Sequence, residues 1–240
     1  MIAMQPIRKF KIVSNKCPTN ELCRIWLAPA DGEGMFSFKA GQFVMVHELD
    51  GAGNSVYVRS YSIASAPVES RDGLELGIKS QGKLSSMLFN SKPGELYGVQ
   101  GPYGMFSAPD DDRIVFFSGG VGITPFRSIV REELLKNTTK KIILFYSGRT
   151  LDDLIYHQEF LQLAKGNPNF IYVPILTRET PEGWKWESGR MTKEIIKKYV
   201  KDFSGTGFLM CGPVPMMDSI KEILDAEGVD TKAKLRAERY

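Results

Sequence analysis

Arg59, Tyr61 and Ser62 stand together in the stretch Arg59-Ser60-Tyr61-Ser62-Ile63-Ala64-Ser65. On an extended strand, side-chain alternation places Arg59 and Tyr61 on one face. A planar guanidinium can pair with a pyrophosphate. A tyrosine ring two positions on can lie against a flat heterocycle and offer its hydroxyl to a polyhydroxyl chain, while the Ser62 hydroxyl can bond the heterocycle itself. Taken alone, the segment is better read as a plain strand with one exposed Arg and one half-buried Tyr. A second candidate is Gly82-Lys83-Leu84-Ser85-Ser86-Met87-Leu88. Gly82 permits an unusual backbone angle and close approach of a ligand. Ser85 is expected to cap a short helix whose free N–H groups favour a phosphate. The alternative is an ordinary capped helix with Met87 and Leu88 in a core.

Three further segments carry candidate chemistry. Phe117-Ser118-Gly119-Gly120-Val121-Gly122-Ile123-Thr124-Pro125 is a glycine-rich turn between an apolar strand and a helix. Such a turn lets backbone N–H groups reach a pyrophosphate at the helix N-terminus. Thr124 is expected as the N-cap and Pro125 as the first helical residue. The usual Gly-x-Gly-x-x-Gly fingerprint is not met, because Pro125 occupies its third glycine position. In Tyr146-Ser147-Gly148-Arg149-Thr150 no acid appears before Asp152. An acid there favours NAD and an Arg accommodates the extra phosphate of NADP, so Arg149 leans towards NADP, with a solvated surface Arg an equal reading. In Met210-Cys211-Gly212-Pro213-Val214-Pro215-Met216-Met217, Cys211 at a strand end can approach a nicotinamide ring. A lone Cys is more commonly a small buried hydrophobe.

These segments sit on two kinds of element. Up to residue 109 the chain is strand-like, with β-rich stretches at 10–13, 22–27, 42–48, 55–63 and 74–79 separated by Asp-Gly and Pro-Gly turns. Evenly spaced short strands of this kind predict an antiparallel β-barrel or sandwich, with one short helix over 85–90. Gly101-Pro102-Tyr103-Gly104 reads as a tight turn closing it. Asp110-Asp111-Asp112 reads as a linker. Beyond it the grammar changes: strands at 113–118, 141–147, 170–176, 207–211 and 232–237 alternate with helices at 124–136, 152–165, 192–201 and 213–227. Such alternation predicts an α/β domain with a parallel sheet covered on both faces. The expected domains are therefore 1–109 and 110–240.

Composition narrows the function. A net charge of +3, with Lys and Arg spread among acids, gives no basic stripe for nucleic acid. No apolar run approaches the ~20 residues that span a bilayer. The N-terminus lacks the apolar segment of a signal peptide, so a cytoplasmic protein is expected. The three cysteines, Cys17, Cys23 and Cys211, are odd in number and argue against a disulfide framework. They are also too few for a four-thiolate iron–sulfur cluster, and no metal is expected.

Taken together and in this order, the segments resemble the ferredoxin–NADP reductase superfamily. Arg59, Tyr61 and Ser62 match its Arg-x-Tyr-Ser motif, and Gly82, Ser85 and Leu88 its Gly-x-x-Ser-x-x-Leu segment. Gly119, Gly120, Gly122, Thr124 and Pro125 match its dinucleotide loop, and Cys211, Gly212 and Pro213 its Cys-Gly-Pro segment. The resemblance implies a flavin-binding barrel followed by a nicotinamide-binding α/β domain. It implies non-covalent FAD, with Arg59 and Ser85 on the pyrophosphate, Tyr61 against the ring system and Ser62 near N5. Ser60, Gly77, Ile78, Lys79, Lys83 and Leu84 flank these positions and complete the expected flavin set. NADP(H) or NAD(H) is the implied substrate. The chain ends in Tyr240, which matches either an aromatic that stacks on the flavin or, slightly favoured, one that packs the last strand.

The resemblance leaves the electron acceptor to a separate partner. Ferredoxin or flavodoxin is the first expectation; free flavin, a cytochrome or an oxygenase component are alternatives. Lys79, Lys83 and Lys92 are candidates for a basic face towards an acidic partner. The rival class is an electron-transfer subunit of a larger complex, or a non-catalytic domain of the same fold.

Overall fold

The computed structural model describes residues 5–136 and 139–239. It divides into two units, Met1–Ser107 with Arg127–Glu132, and Ala108–Phe126 with Glu133–Tyr240.

The first unit is built on β1 (Arg8–Lys16), β2 (Leu22–Pro29), β3 (Phe43–Leu49), β4 (Ser55–Ser62), β5 (Leu74–Lys79) and β6 (Leu96–Tyr103), with one short helix, α1 (Lys83–Asn90). All pairings are antiparallel, in the order β4-β3-β6-β1-β2-β5. A bridge between Ile63 and Leu76 joins the two edges and closes the sheet into a barrel. Alternation sorts the side chains: β1 buries Phe10 and Ile12 and turns Lys9 and Lys11 outward. Ile25, Leu27, Val44, Val46, Leu76 and Val99 fill the same interior.

The expected barrel is present, but the sequence reading missed β6, which lies between β3 and β1. Gly98, Gly101 and Pro102 disguise it. Gly98 is required by crowding: a Cβ there would come within 2.6 Å of Ile7 Cγ2 and 3.0 Å of His47 Cβ. The segment expected as a tight turn, from Gly101 to Gly104, instead carries the end of β6, with a cis Gly101–Pro102 peptide. Cys17 and Cys23 form a disulfide with Cα atoms 4.0 Å apart, against the expectation from an odd cysteine count. The turn between β1 and β2 brings them together, and the count carried no information about that.

The second unit contains β7 (Arg113–Gly119), β8 (Lys141–Gly148), β9 (Phe170–Leu176), β10 (Glu187–Ser188), β11 (Thr206–Cys211) and β12 (Leu235–Glu238). They are parallel, in the order β10-β9-β8-β7-β11-β12. The connecting helices are α2 (Ile123–Leu135), α3 (His157–Gly166), α4 (Lys193–Tyr199), α5 (Val214–Ala226) and α6 (Thr231–Lys234). Central strands buried on both faces need near-continuous apolar sequence, and Ile114-Val115-Phe116-Phe117 supplies it.

Two local expectations are corrected. The helix expected over 152–165 starts only at His157, because the Asp153 carboxylate accepts from the N–H groups of Arg149 at 2.9 Å and Thr150 at 3.2 Å and holds a turn. The strand expected over 232–237 begins as helix, since Asp230 caps α6 by accepting from Lys232 N at 3.1 Å. The Asp110-Asp111-Asp112 triplet lies at the start of the second unit, where Lys140 reaches Asp110 at 3.3 Å and Lys234 reaches Asp111 at 2.7 Å. Among the described residues, no helix is long and apolar enough to cross a membrane.

Candidate functional site

The first unit presents one cradle. β4 pairs with β3 so that Tyr61 lies opposite Val44 and Arg59 opposite Val46. Opposed residues share a face, so Arg59 and Tyr61 project on the side that Val44 and Val46 fill. Tyr61 packs on the barrel core, and burial pushes its phenol up to about 12 against the lowering effect of Arg59. It is therefore a neutral donor at physiological pH. Arg59 is exposed and Nη1 donates to Val58 O at 2.9 Å. Ser62 is half-buried at the end of β4, opposite Phe43. Ser60 pairs with Met45 on the opposite face, so only its backbone shares the cradle with Arg59.

On β5, Gly77 and Ile78 are buried and offer main-chain groups alone, while Lys79 stands 4.0 Å from Glu21. Gly82 precedes α1 with φ +104, and the space a Cβ would occupy there is open. No side chain caps the helix, which leaves the first-turn N–H groups available to an anion. Leu84 anchors α1 in the core. Ser85 does not cap the helix as expected. It lies inside the first turn, where its hydroxyl accepts from Gln81 N at 2.9 Å and donates to Gly82 O at 3.1 Å. A flat ring against Tyr61 and a pyrophosphate between Arg59 and the α1 N-terminus fit these donors, so the residues suit FAD.

A layer behind β4 was not legible from the sequence. Arg127 Nη1 donates to Ala64 O at 2.8 Å and Glu69 Oε2 at 3.0 Å, and Ser128 Oγ donates to Ser65 O at 2.8 Å. Arg131 Nε donates to Glu69 Oε1 at 2.7 Å. These residues pin the segment that continues directly from Ser62.

The second unit presents the other cradle. Gly120–Gly122 forms a 3-10 turn leading from β7 into α2, with Gly120 at φ +56. A Cβ on Gly119 would lie 2.8 Å from Pro213 Cδ, and one on Gly122 2.6 Å from the Cys211 carbonyl carbon. The structure thus brings two of the sequence motifs into direct contact. Thr124 is not the N-cap: it sits within the first helical turn with Pro125, and its hydroxyl donates to Val121 O at 2.8 Å. Cys211 is buried, and burial followed by the Glu238 charge pushes its thiol up to about 12.

Arg149 follows β8, with Nε 3.5 Å from the Asp153 carboxylate. The next loop is laced to it: Thr177 N donates to Gly148 O at 2.9 Å and Arg178 N to Arg149 O at 3.0 Å. Arg178, which the sequence reading missed, is therefore a second guanidinium at the carboxyl ends of neighbouring strands, where open α/β sheets bind ligands. Its signal was its place two residues beyond the end of β9. Tyr240 lies outside the described residues.

Comparison with known proteins bears on these two cradles. Residues 11–107 match the oxidoreductase FAD-binding domain family and residues 116–222 the oxidoreductase NAD-binding domain family. The chain belongs to the oxidoreductases that join an FAD-binding to an NAD-binding domain, and it has the fold of a ferredoxin NADP+ reductase. Its two cradles lie in the domains for FAD and for a nicotinamide dinucleotide. It is 33% identical over 230 residues to the glycine betaine monooxygenase reductase subunit of Pseudomonas aeruginosa, a match spanning 93% of this chain and 61% of that protein. It is 35% identical over 193 residues to a subunit of the Na(+)-translocating NADH-quinone reductase of Methylococcus capsulatus, spanning 72% of this chain and 47% of that one. The chain thus spans less than two thirds of the length of these relatives. Among solved structures, the FAD/NAD-binding domain of nitric oxide dioxygenase from Vibrio cholerae superposes with a TM-score of 0.84 at 21% identity, covering 97% of this chain and 98% of that one. A ferredoxin NADP+ reductase from Neisseria gonorrhoeae with bound FAD and NADP gives 0.81 at 23% identity, covering 97% and 98%. Both share the fold.

Proposed function

We propose that this flavoprotein oxidises NADH or NADPH and passes the electrons to a separate acceptor protein. The observation that carries the reading is the pairing in one chain of a flavin cradle, Arg59, Tyr61 and the uncapped α1 N-terminus, with a dinucleotide loop packed on Cys211-Gly212-Pro213. Bound FAD would supply the redox chemistry of hydride uptake and onward electron release. The protein's share is alignment and exclusion of water. Arg59 and the α1 N–H groups hold the pyrophosphate. Tyr61, kept protonated by burial, would lie against the ring, and Ser62, which opposes Phe43 on the other face of β4, would meet its edge through the main chain. Gly119, Gly120 and Gly122 allow the nucleotide's phosphates to approach the backbone, and Arg149 with Arg178 faces the adenosine end. Cys211 acts as a neutral thiol of the right size beside the nicotinamide.

Ferredoxin or flavodoxin is one acceptor class for this fold. An oxygenase component is the other, and the likeness to a monooxygenase reductase subunit over 93% of the chain favours it. Two of the three lysines considered for an acidic partner already face carboxylates, Lys79 with Glu21 and Lys83 with Glu48, which weakens a basic docking face there. The test is NAD(P)H oxidation by the FAD-loaded protein with purified ferredoxin, flavodoxin or an oxygenase component as acceptor. Turnover that requires both FAD and one of these proteins supports the reading. A loaded protein that oxidises neither nucleotide, with those acceptors or with ferricyanide, contradicts it.

A further inference from the structure

β4 continues past Arg59, away from Tyr61, and its next residue on the same face is Tyr57. The register fixes this: Tyr61 opposes Val44, Arg59 opposes Val46 and Tyr57 opposes Glu48. At roughly 3.4 Å per residue, the three side chains are spaced about 7 Å apart along one line. Their chemistry runs in the order of the parts of FAD: an aromatic wall for the ring system, a guanidinium for the pyrophosphate, then a second aromatic ring where the adenosine must follow.

The surroundings of Tyr57 are those of an open platform. The residue is 42% exposed, although it points to the side on which Val44 and Val46 are fully buried. Its ring is held by a cation: Lys83 Nζ lies 4.2 Å from the ring centroid. Lys83 is the first residue of α1, and its ammonium is fixed by Glu48 at 3.0 Å. A half-exposed ring steadied by an ammonium offers a stacking surface for a purine. The Glu48 carboxylate also offsets the lysine charge, so the pair favours a neutral heterocycle over another phosphate at that point.

We propose that Tyr57, steadied by Lys83 and Glu48, is the seat of the adenine of FAD and the determinant by which this chain selects FAD over FMN. The inference rests on the flavin reading of Arg59, Tyr61 and Ser62 and adds a recognition element that their motif does not contain. FMN shares the ring and ends at a single phosphate, so it serves as an internal control for the fold and for the rest of the cradle.

The experiment is equilibrium binding of FAD and of FMN, followed by flavin fluorescence, to the deflavinated full chain and to its Tyr57→Ala, Tyr57→Phe and Lys83→Gln variants. Loss of one base-stacking contact is expected to weaken FAD binding by roughly 5- to 100-fold in Tyr57→Ala. Tyr57→Phe keeps the ring and is expected to retain FAD affinity; Lys83→Gln is expected to lose part of it. FMN affinity is expected to be the same in wild type and Tyr57→Ala. Unchanged FAD affinity in Tyr57→Ala, or an equal loss for FAD and FMN, overturns the adenine seat while leaving the flavin site intact. A wild-type chain that binds neither flavin overturns the flavin reading itself, and the adenine seat with it.

Discussion

Gly122 packs its Cα against the main chain of Cys211 so closely that a Cβ would stand 2.6 Å from the carbonyl carbon and 3.0 Å from Gly212 N. The neighbours in the way are backbone, which cannot swing aside. The glycine is therefore needed for the contact between the two loops as well as for access of phosphate. Gly122→Ala is expected to destabilise the protein by about 1–3 kcal/mol, as overpacking does, and to weaken NAD(P)H binding. Thermal unfolding and nucleotide titration check both. Reduction of the bound flavin by dithionite is expected to survive.

The Glu69 carboxylate offers a pH-dependent test. Burial alone raises its pKa, but the Arg127 charge, the Ala66 N–H and the Arg131 charge outweigh burial and hold it below the ordinary range. A carboxyl depressed in the folded state contributes stability above its unfolded pKa of about 4.3 and loses it as pH falls through the folded value. Glu69→Gln is expected to cost roughly 1.5–3 kcal/mol at neutral pH, the range for a hydrogen bond to a charged group. The difference in melting temperature between wild type and variant should shrink as pH falls below about 4. A gap that stays constant with pH would remove the electrostatic explanation.

Cys211 has a thiol pushed up to about 12 by burial, so it is protonated throughout the neutral range and its reactivity is suppressed. The native protein is expected to resist iodoacetamide at Cys211 and to react on unfolding. Cys211→Ser is expected to leave the pH dependence of flavin reduction unchanged around neutrality. A variant that moves that profile would make the thiol a proton carrier.

Arg149 bears on the choice of nucleotide. With a ribose phosphate as its ligand, Arg149→Ala is expected to weaken NADPH by roughly 10- to 100-fold, the loss of one charged hydrogen bond, and to leave NADH unchanged. Equal loss for both nucleotides would reduce Arg149 to a loop residue held by Asp153.

Much of this architecture was legible in the residues. β5 and β9 occupy the stretches read from the sequence, Leu74–Lys79 and Phe170–Leu176, because apolar runs bounded by turn residues leave few alternatives. β6 escaped because its glycines and proline, needed for close packing, imitate a turn. The motif positions were legible because glycines in fixed spacing leave few structural readings, but the roles of Ser85 and Thr124 were not. A hydroxyl both donates and accepts, and only the fold decided that Ser85 braces Gly82 and that Thr124 turns back on Val121. The brace behind β4 was invisible for a different reason: Glu69 and Arg127 are 58 residues apart, and only folding makes them neighbours.

Reduction by a nicotinamide of a flavin held by this chain is the step on which the proposed function depends. An anaerobic absorbance titration of the FAD-loaded protein with NADPH, repeated with NADH, tests it most directly. The oxidised flavin bands are expected to bleach with about one equivalent of the preferred nucleotide, since each delivers one hydride. Bound flavin that remains oxidised in excess of both nucleotides, yet bleaches with dithionite, would contradict it.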